Sequence, residues 1–192
     1  VLDTRRTASQ ESPPQAGRPV QPPPHSPRPA ARLAGLLSEK NVILWESPVS
    51  KGDALAALVA KAVPAIGHPG LAEALSAVLD REAQGTTFFP GLALPHARLE
   101  GLAAPLAALG VTRGGIWGEP EGQKTGLAVL TLTPASAPEV QVELLAQASR
   151  AASDPVFMKR LAQAPGAAQV IALWDAWEER GQRDGSGEQN PP

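Results

Sequence analysis

The chain has 192 residues, with 17 Lys and Arg against 19 Asp and Glu for a formal net charge of -2, and it contains no cysteine. That length suits one domain with extensions and can bury a real core. The charge balance offers no basic face for general nucleic-acid binding, the missing thiols exclude disulfides and thiolate metal sites, and no apolar run approaches bilayer-spanning length.

Proline, glutamine, serine and arginine dominate residues 1–32, with Pro22, Pro23 and Pro24 at the centre. Such a tract buries too little apolar surface to offset its ordering entropy and favours extended polyproline conformations, so a linker or disordered tail is expected. Pro19 to Pro22 and Pro24 to Pro27 fit the PxxP form of groove-binding ligands, a weak pattern in any proline-rich stretch. His25 lies here and is assigned no role. The N-terminus has no apolar signal-peptide core, and the opening Val1 is read as a sign that the chain is a segment of a longer protein.

The folded part is expected to begin near Leu33, with Leu33, Leu36 and Leu37 forming a short helical turn and Val42 to Trp45 a first strand. Ser50 and Asp53 form a capping-box pattern, after which Leu55, Leu58, Val59 and Ala62 recur at helical spacing. Pro64 to Gly70 breaks that pattern, and His68 in the break is read as a solvated loop histidine. A second helix follows, with Leu71, Ala74, Leu75, Val78 and Leu79 on one stripe and Arg81 on its last turn.

The stretch Arg81 to Arg98 organises the rest. It joins that helix to a turn carrying Thr86 and Thr87, then a short apolar strand from Gly91 to Leu94, then His96 directly after Pro95. Pro95 biases Leu94 toward an extended backbone, so the strand presents His96 at its mouth. A neutral imidazole is a nucleophile near neutral pH. Phosphoryl transfer to it needs positioning and charge neutralisation, which the planar donor fork of Arg81 and a threonine hydroxyl can supply.

Leu106 to Thr112 reads as a strand, followed by a link through Gly114, Gly115, Gly118 and Gly122. That run lacks the GxxxxGK[ST] pattern and precedes a strand, so it is read as a hairpin or long turn rather than a phosphate loop. Leu127 to Leu132 is almost continuously apolar, as in a strand covered on both faces. Ser136 and Glu139 form a second capping box, opening a helix with Val140, Leu144, Leu145 and Ala148 inward. Asp154 and Pro155 start another helix that buries Phe157 and Leu161. The last helix places Val170, Ile171, Trp174 and Trp177 on one side, read as core, and the chain beyond Arg180 reads as a polar, frayed tail. Strands alternating with helix pairs predict an α/β sandwich.

The run Arg-Glu-x-x-Gly-Thr-Thr followed by strand-Pro-His-Ala-Arg resembles the active-site signature of phosphotransferase-system enzyme IIA domains of the fructose/mannitol type, which include nitrogen-regulatory members. The resemblance covers about Leu33 to Glu179. It implies a single-domain α/β sandwich of a mixed β-sheet flanked by helices on both faces, with the reactive histidine at a strand end. It divides the chain into a tail or linker (1–32), a IIA-like domain (33–180) and a polar C-terminal tail (181–192). The family's phosphorylated histidine falls on His96, its phosphate-facing arginine on Arg81, and its hydroxyl residue on Thr87, with Thr86 the near alternative.

The implied function is a phosphocarrier, taking a phosphoryl group from the histidine of an HPr-like carrier and passing it to a cysteine of a IIB domain, or regulating a transporter or kinase by its phosphorylation state. No cofactor, metal, nucleic acid or direct membrane insertion is implied, and the expected location is cytoplasmic, free or tethered to a membrane protein. Two departures stand out. Phe88-Phe89-Pro90 replaces a glycine-rich loop, its rings reading equally as a wall of the site, a docking patch or core. Gln141 stands where the family commonly places a second histidine, and glutamine donates a hydrogen bond but carries no positive charge. The alternative reading is therefore a IIA-like regulatory or interaction module, tethered through residues 1–32 to a transporter or other partner, with weak or no phosphoryl transfer because Gln141 replaces the second histidine. A metal hydrolase is disfavoured because His25 and His68 lack ligand spacing relative to His96.

Overall fold

Every residue of β7 (Thr125–Pro134) except Gly126 is buried, as the almost continuously apolar stretch Leu127–Leu132 requires of a strand covered on both faces, and Thr131 and Thr133 are buried with it. The computed structural model of the chain describes residues 31–64, 67–117 and 125–186. In it β7 is the spine of a seven-stranded mixed sheet. The long β6 (Leu106–Trp117) runs antiparallel along one edge of β7. Along the other edge β4 (Gly91–Ala93) and then β5 (His96–Leu99) pair with it in parallel. Beyond β6 lie β1 (Val42–Trp45) and β2 (Val49–Ser50), both parallel to it, and the two-residue β3 (Phe88–Phe89) pairs antiparallel with β4.

Strand alternation sends side chains to two separate cores. Leu127 and Val129 of β7 join Val42, Leu109 and Val111 against α3 (Pro138–Ala152), α4 (Pro155–Ala162) and α5 (Ala167–Ser186). Leu130 and Leu132 join Ala93, Ala97 and Leu99 against α1 (Lys51–Ala62) and α2 (Leu71–Ala83). The expected sandwich with helices on both faces is present. Phe157 and Trp174 meet edge-on at 5.3 Å between ring centres, which places the tryptophan in the core rather than on a stacking platform. The Trp174 indole N–H donates to the buried Glu178 carboxylate at 3.2 Å. Glu178 also accepts from the Ala34 amide at 2.8 Å and the Arg32 guanidinium at 3.0 Å, fastening the chain just before the 3-10 turn Ala34–Leu36.

Ser50 caps α1 as expected, accepting from the Asp53 amide at 3.1 Å. Asp154 caps α4, accepting from the Val156 and Phe157 amides ahead of Pro155. The second expected box does not form: α3 starts at Pro138 behind Ala137, with no side-chain cap. The cap position falls on Ala137, which has no side-chain acceptor, while Pro138 presets the first turn of the helix. On α2 the buried stripe narrows to Ala74 and Val78, while Leu71 and Leu79 are 51% and 45% exposed.

The expected hairpin is present, β6 and β7 pairing antiparallel, but Gly114 and Gly115 belong to its strand rather than its turn. β6 continues through Gly114 and Gly115, and its register on β7 shifts between Val111 and Ile116. Gly115 takes φ 89°, a bulge conformation that suits glycine, and its amide donates to Thr112 Oγ1 at 3.0 Å. Gly118, Gly122, His25 and both PxxP segments lie outside the described residues, as does the end of the C-terminal tail. The last helix itself runs on to Ser186, past the expected end at Arg180. No helix among the described residues is long and apolar enough to cross a membrane.

A Cβ at Gly114 would stand 2.4 Å from the Pro48 backbone nitrogen, a contact no side-chain rotation relieves. Gly114→Ala should therefore lower the unfolding free energy by about 1–3 kcal/mol, read by chemical denaturation. A variant as stable as the parent would show that β6 and the Ser47–Pro48 turn do not pack this closely.

Candidate functional site

β4 and β5 lie end to end along β7, and the Leu94–Pro95 step between them creates the site. The Pro95 carbonyl accepts from the Thr131 amide at 3.1 Å, and the Leu94 amide donates to the Thr87 carbonyl at 2.9 Å, so both ends of the step are held by neighbouring backbone. His96 opens β5 in register with Thr131. Ala97 and Leu99 alternate into the α1–α2 core, which leaves His96 and Arg98 together on the other face of the strand. Between α2 and α3 lies an open cleft of about 480 Å³, lined by Asp80, Arg81 and Gln84, by His96 and Arg98, and by Gln141, Val142 and Leu145.

The ring of His96 is held by both nitrogens. Its Nδ1 lies 2.7 Å from the Leu94 carbonyl oxygen, and its Nε2 lies 3.0 Å from the Nε of Arg81. A carbonyl only accepts and an arginine only donates, so the proton sits on Nδ1 and Nε2 offers a lone pair. Burial pushes the His96 pKa below its ordinary 6.5; the charges of Arg81 and Arg98 act in the same direction, opposed in part by the Leu94 carbonyl and by Glu82. The imidazole is thus neutral near neutral pH and half-buried, and its Nε2 carries the lone pair, engaged here by Arg81 and available to an electrophile once that bond is released.

Arg81 is fixed by its place on the last turn of α2, and its second anchor is a bond from Nη1 to the Gly85 carbonyl at 3.1 Å. The adjoining turn is organised by Glu82, which accepts from the Thr87 amide at 2.9 Å and from the Thr87 hydroxyl at 2.5 Å, and pairs with Lys51 at 2.5 Å. Burial raises the Glu82 pKa, but bonds from Lys51, Thr87 and Thr86 outweigh it and hold the carboxyl below its ordinary 4.5. Lys51 also sits 5.0 Å above the Phe88 ring.

The structure thus brings His96, Arg81 and Gln141 to one cleft. Thr87 is placed differently: it is 2% exposed, its hydroxyl is given to Glu82, and it does not line the cleft. The hydroxyl of Thr86 accepts from the Phe88 amide at 3.2 Å. Gln141 is buried, and its Oε1 accepts from Arg98 Nε at 2.5 Å. The two phenylalanines of the altered loop divide, Phe88 entering the α1–α2 core and Phe89 remaining 49% exposed. His68 is partly exposed, with its Nε2 2.7 Å from the Glu100 carbonyl and Nδ1 3.5 Å from Glu73.

Sequence reasoning assigned nothing to Arg98, Glu82 or Lys51. For Arg98 the signal was available, since a residue two positions after His96 on a strand shares its face. Lys51 opens a helix far upstream of Glu82, and only the packing of α1 on α2 joins them.

The family described as the phosphoenolpyruvate-dependent sugar phosphotransferase system, EIIA 2, matches residues 35–176. No curated protein sequence matches significantly. Among solved structures, the nitrogen regulatory protein IIA-Ntr from Neisseria meningitidis is similar at 22% identity and TM-score 0.65, covering 73% of this chain and 97% of that one. IIA mannitol from Escherichia coli is similar at 20% identity and TM-score 0.58, covering 72% and 98%. The Escherichia coli complex of enzyme IIA mannitol with phosphorylated enzyme IIB mannitol matches at 18% identity and TM-score 0.57, covering 73% and 97%. These likenesses show a shared fold.

The ring's environment makes a titration prediction. By NMR, His96 should carry its proton on Nδ1 and titrate below 6.5. Because the unfolded chain binds that proton more readily, stability should be unaffected above about pH 6.5 and fall as the pH drops from there toward the folded-state value. His96→Gln should flatten that fall; a ring titrating at or above 6.5 would contradict the derived environment.

Proposed function

Because the chain belongs to the EIIA type 2 family of the phosphoenolpyruvate-dependent sugar phosphotransferase system, we propose that it is a phosphocarrier whose His96 takes a phosphoryl group from an HPr-like carrier and gives it to a IIB domain or displays it to a regulated partner. The observation that carries this reading is the lone pair on His96 Nε2, fixed by the donation of Nδ1–H to the Leu94 carbonyl and turned into an open cleft.

In the proposed transfer, Nε2 attacks the phosphorus of the donor's phosphohistidine in line. The new N–P bond forms as the donor's N–P bond breaks, and that electron pair returns to the donor imidazole. Arg81 first releases its hydrogen bond to Nε2 and then directs the guanidinium N–H groups to the phosphoryl oxygens. The Leu94 carbonyl stabilises the positive charge that gathers on the ring as the bond forms. Onward transfer runs by the same logic: a IIB cysteine thiolate attacks phosphorus, and the breaking bond returns its pair to Nε2. That Escherichia coli IIA mannitol is known in complex with phosphorylated IIB mannitol supports a IIB domain as the acceptor.

Thr87 enters this reading chiefly through Glu82, by keeping the turn and the end of α2 in place beneath Arg81. A direct bond from its hydroxyl to the phosphoryl group would require its release from Glu82. Gln141 contributes a neutral donor where an imidazolium is absent. An HPr-like donor places the reaction in the cytoplasm.

Incubation with phosphoenolpyruvate, enzyme I and an HPr carrier should label the protein with an acid-labile, base-stable phosphoryl group, and His96→Ala should abolish the label. Arg81→Gln should slow labelling by about 10²–10³-fold, the range seen when one preorganised donor to a developing charge is removed. Label that survives His96→Ala would move the nucleophile elsewhere and end this proposal.

A further inference from the structure

The cleft contains a second guanidinium to which the relay chemistry above gives no task. Arg98 follows His96 by two positions on β5, so the two side chains leave the same face of the strand. Its Nε donates to Gln141 Oε1 at 2.5 Å, and both residues line the cleft together with Arg81 and His96. Because arginine has only donors, the Gln141 atom that faces it is the carbonyl oxygen, which leaves the amide NH2 directed away from Arg98. Gln141 is 4% exposed. Among the described residues no protein group bonds that NH2, which is not among the buried atoms left without a partner and so meets the solvent of the cleft, and no carboxylate forms an ion pair with the exposed Arg98. The acid lining the cleft is Asp80.

An amide NH2 that reaches the solvent of the cleft, beside an exposed guanidinium that no carboxylate neutralises, offers converging donors to an anion. Deepening the relay reading, on which it rests, we propose that Arg98, held in place by Gln141, is a second cation that binds the phosphoryl group carried by His96. Gln141 is then a positioning residue that also lends its NH2 to a phosphoryl oxygen. This arrangement supplies the charge that an imidazole at position 141 would bring. A guanidinium also retains that charge at pH values where an imidazole loses it.

Two experiments separate this inference from the reading beneath it. In the first, inorganic phosphate is titrated into the unphosphorylated chain while the 15N–1H signals of the Gln141 side-chain amide and the Arg98 Nε–H are followed. Saturable shifts are expected, with affinity reduced roughly tenfold or more in Arg98→Met, the loss expected for one charge-assisted hydrogen bond. Arg98→Lys, which keeps the charge but not the fork, should recover part of that affinity, and Gln141→Leu should lose affinity although Arg98 remains. Equal phosphate affinity in the parent and Arg98→Met would overturn the proposal, and a lysine no better than methionine would count against charge as its basis.

In the second, Arg98→Met is labelled by the phosphohistidine donor, with its melting temperature checked against the parent. Slower labelling and a shorter-lived phosphohistidine at unchanged melting temperature are expected. Labelling and lifetime equal to the parent's would overturn the role of Arg98 while leaving His96 as the acceptor. A parent chain that takes no label would instead sink the relay reading, and the phosphate titration would still decide whether Arg98 and Gln141 bind an anion.

Discussion

The Leu94 carbonyl sits where β4 gives way to β5, and it accepts the Nδ1 proton of His96 at 2.7 Å. That contact selects one tautomer of the ring, orients its plane and leaves Nε2 as the reactive nitrogen. It depends in turn on backbone already committed on either side, the Leu94 amide to Thr87 and the Pro95 carbonyl to Thr131. An imidazole on a free loop would sample both tautomers and many rotamers. Here the sheet itself does the orienting, through a strand that breaks and resumes along β7.

Charge around the ring is arranged so that no carboxylate is needed to neutralise it. Glu82, the acid that acts on the ring's titration, is occupied by Lys51 and Thr87. The arginines are therefore left facing the cleft, one bonded to Nε2 and the other to Gln141. In the proposed relay this is the ground state of an anion site: donors preorganised, with the positive charge depressing the ring's own affinity for a proton. The network under Thr87 also links α1 to the end of α2, so the position of Arg81 depends on packing across the α1–α2 layer as well as on its own helix.

Much of the fold was legible because apolar periodicity and proline chemistry are local signals. The almost continuously apolar Leu127–Leu132 run, the Ser50 and Asp154 caps and the Phe157–Leu161 stripe all appear where they were expected. The misreadings share one cause. Gly114 and Gly115 looked like a turn because glycine frees the backbone, yet β6 uses them for a bulge and for the close approach of Pro48. Leu71 and Leu79 continued the α2 stripe in sequence, but the layer beneath the helix meets it around Ala74 and Val78. Whether a glycine bends or a leucine buries depends on what approaches from elsewhere in the chain.

The same division runs through the site. The sequence by itself determined the spacing that carries the family signature and the presence of one histidine at a strand start with an arginine on a preceding helix, because these are local features of turns and strand ends. Only the tertiary structure decided which ring nitrogen carries the lone pair, that the Thr87 hydroxyl belongs to Glu82, and that Arg98 meets Gln141 across the cleft. Those outcomes depend on distances between α1, α2, β5 and α3, elements that touch only after the sheet has assembled, and no local pattern encodes a distance of that kind.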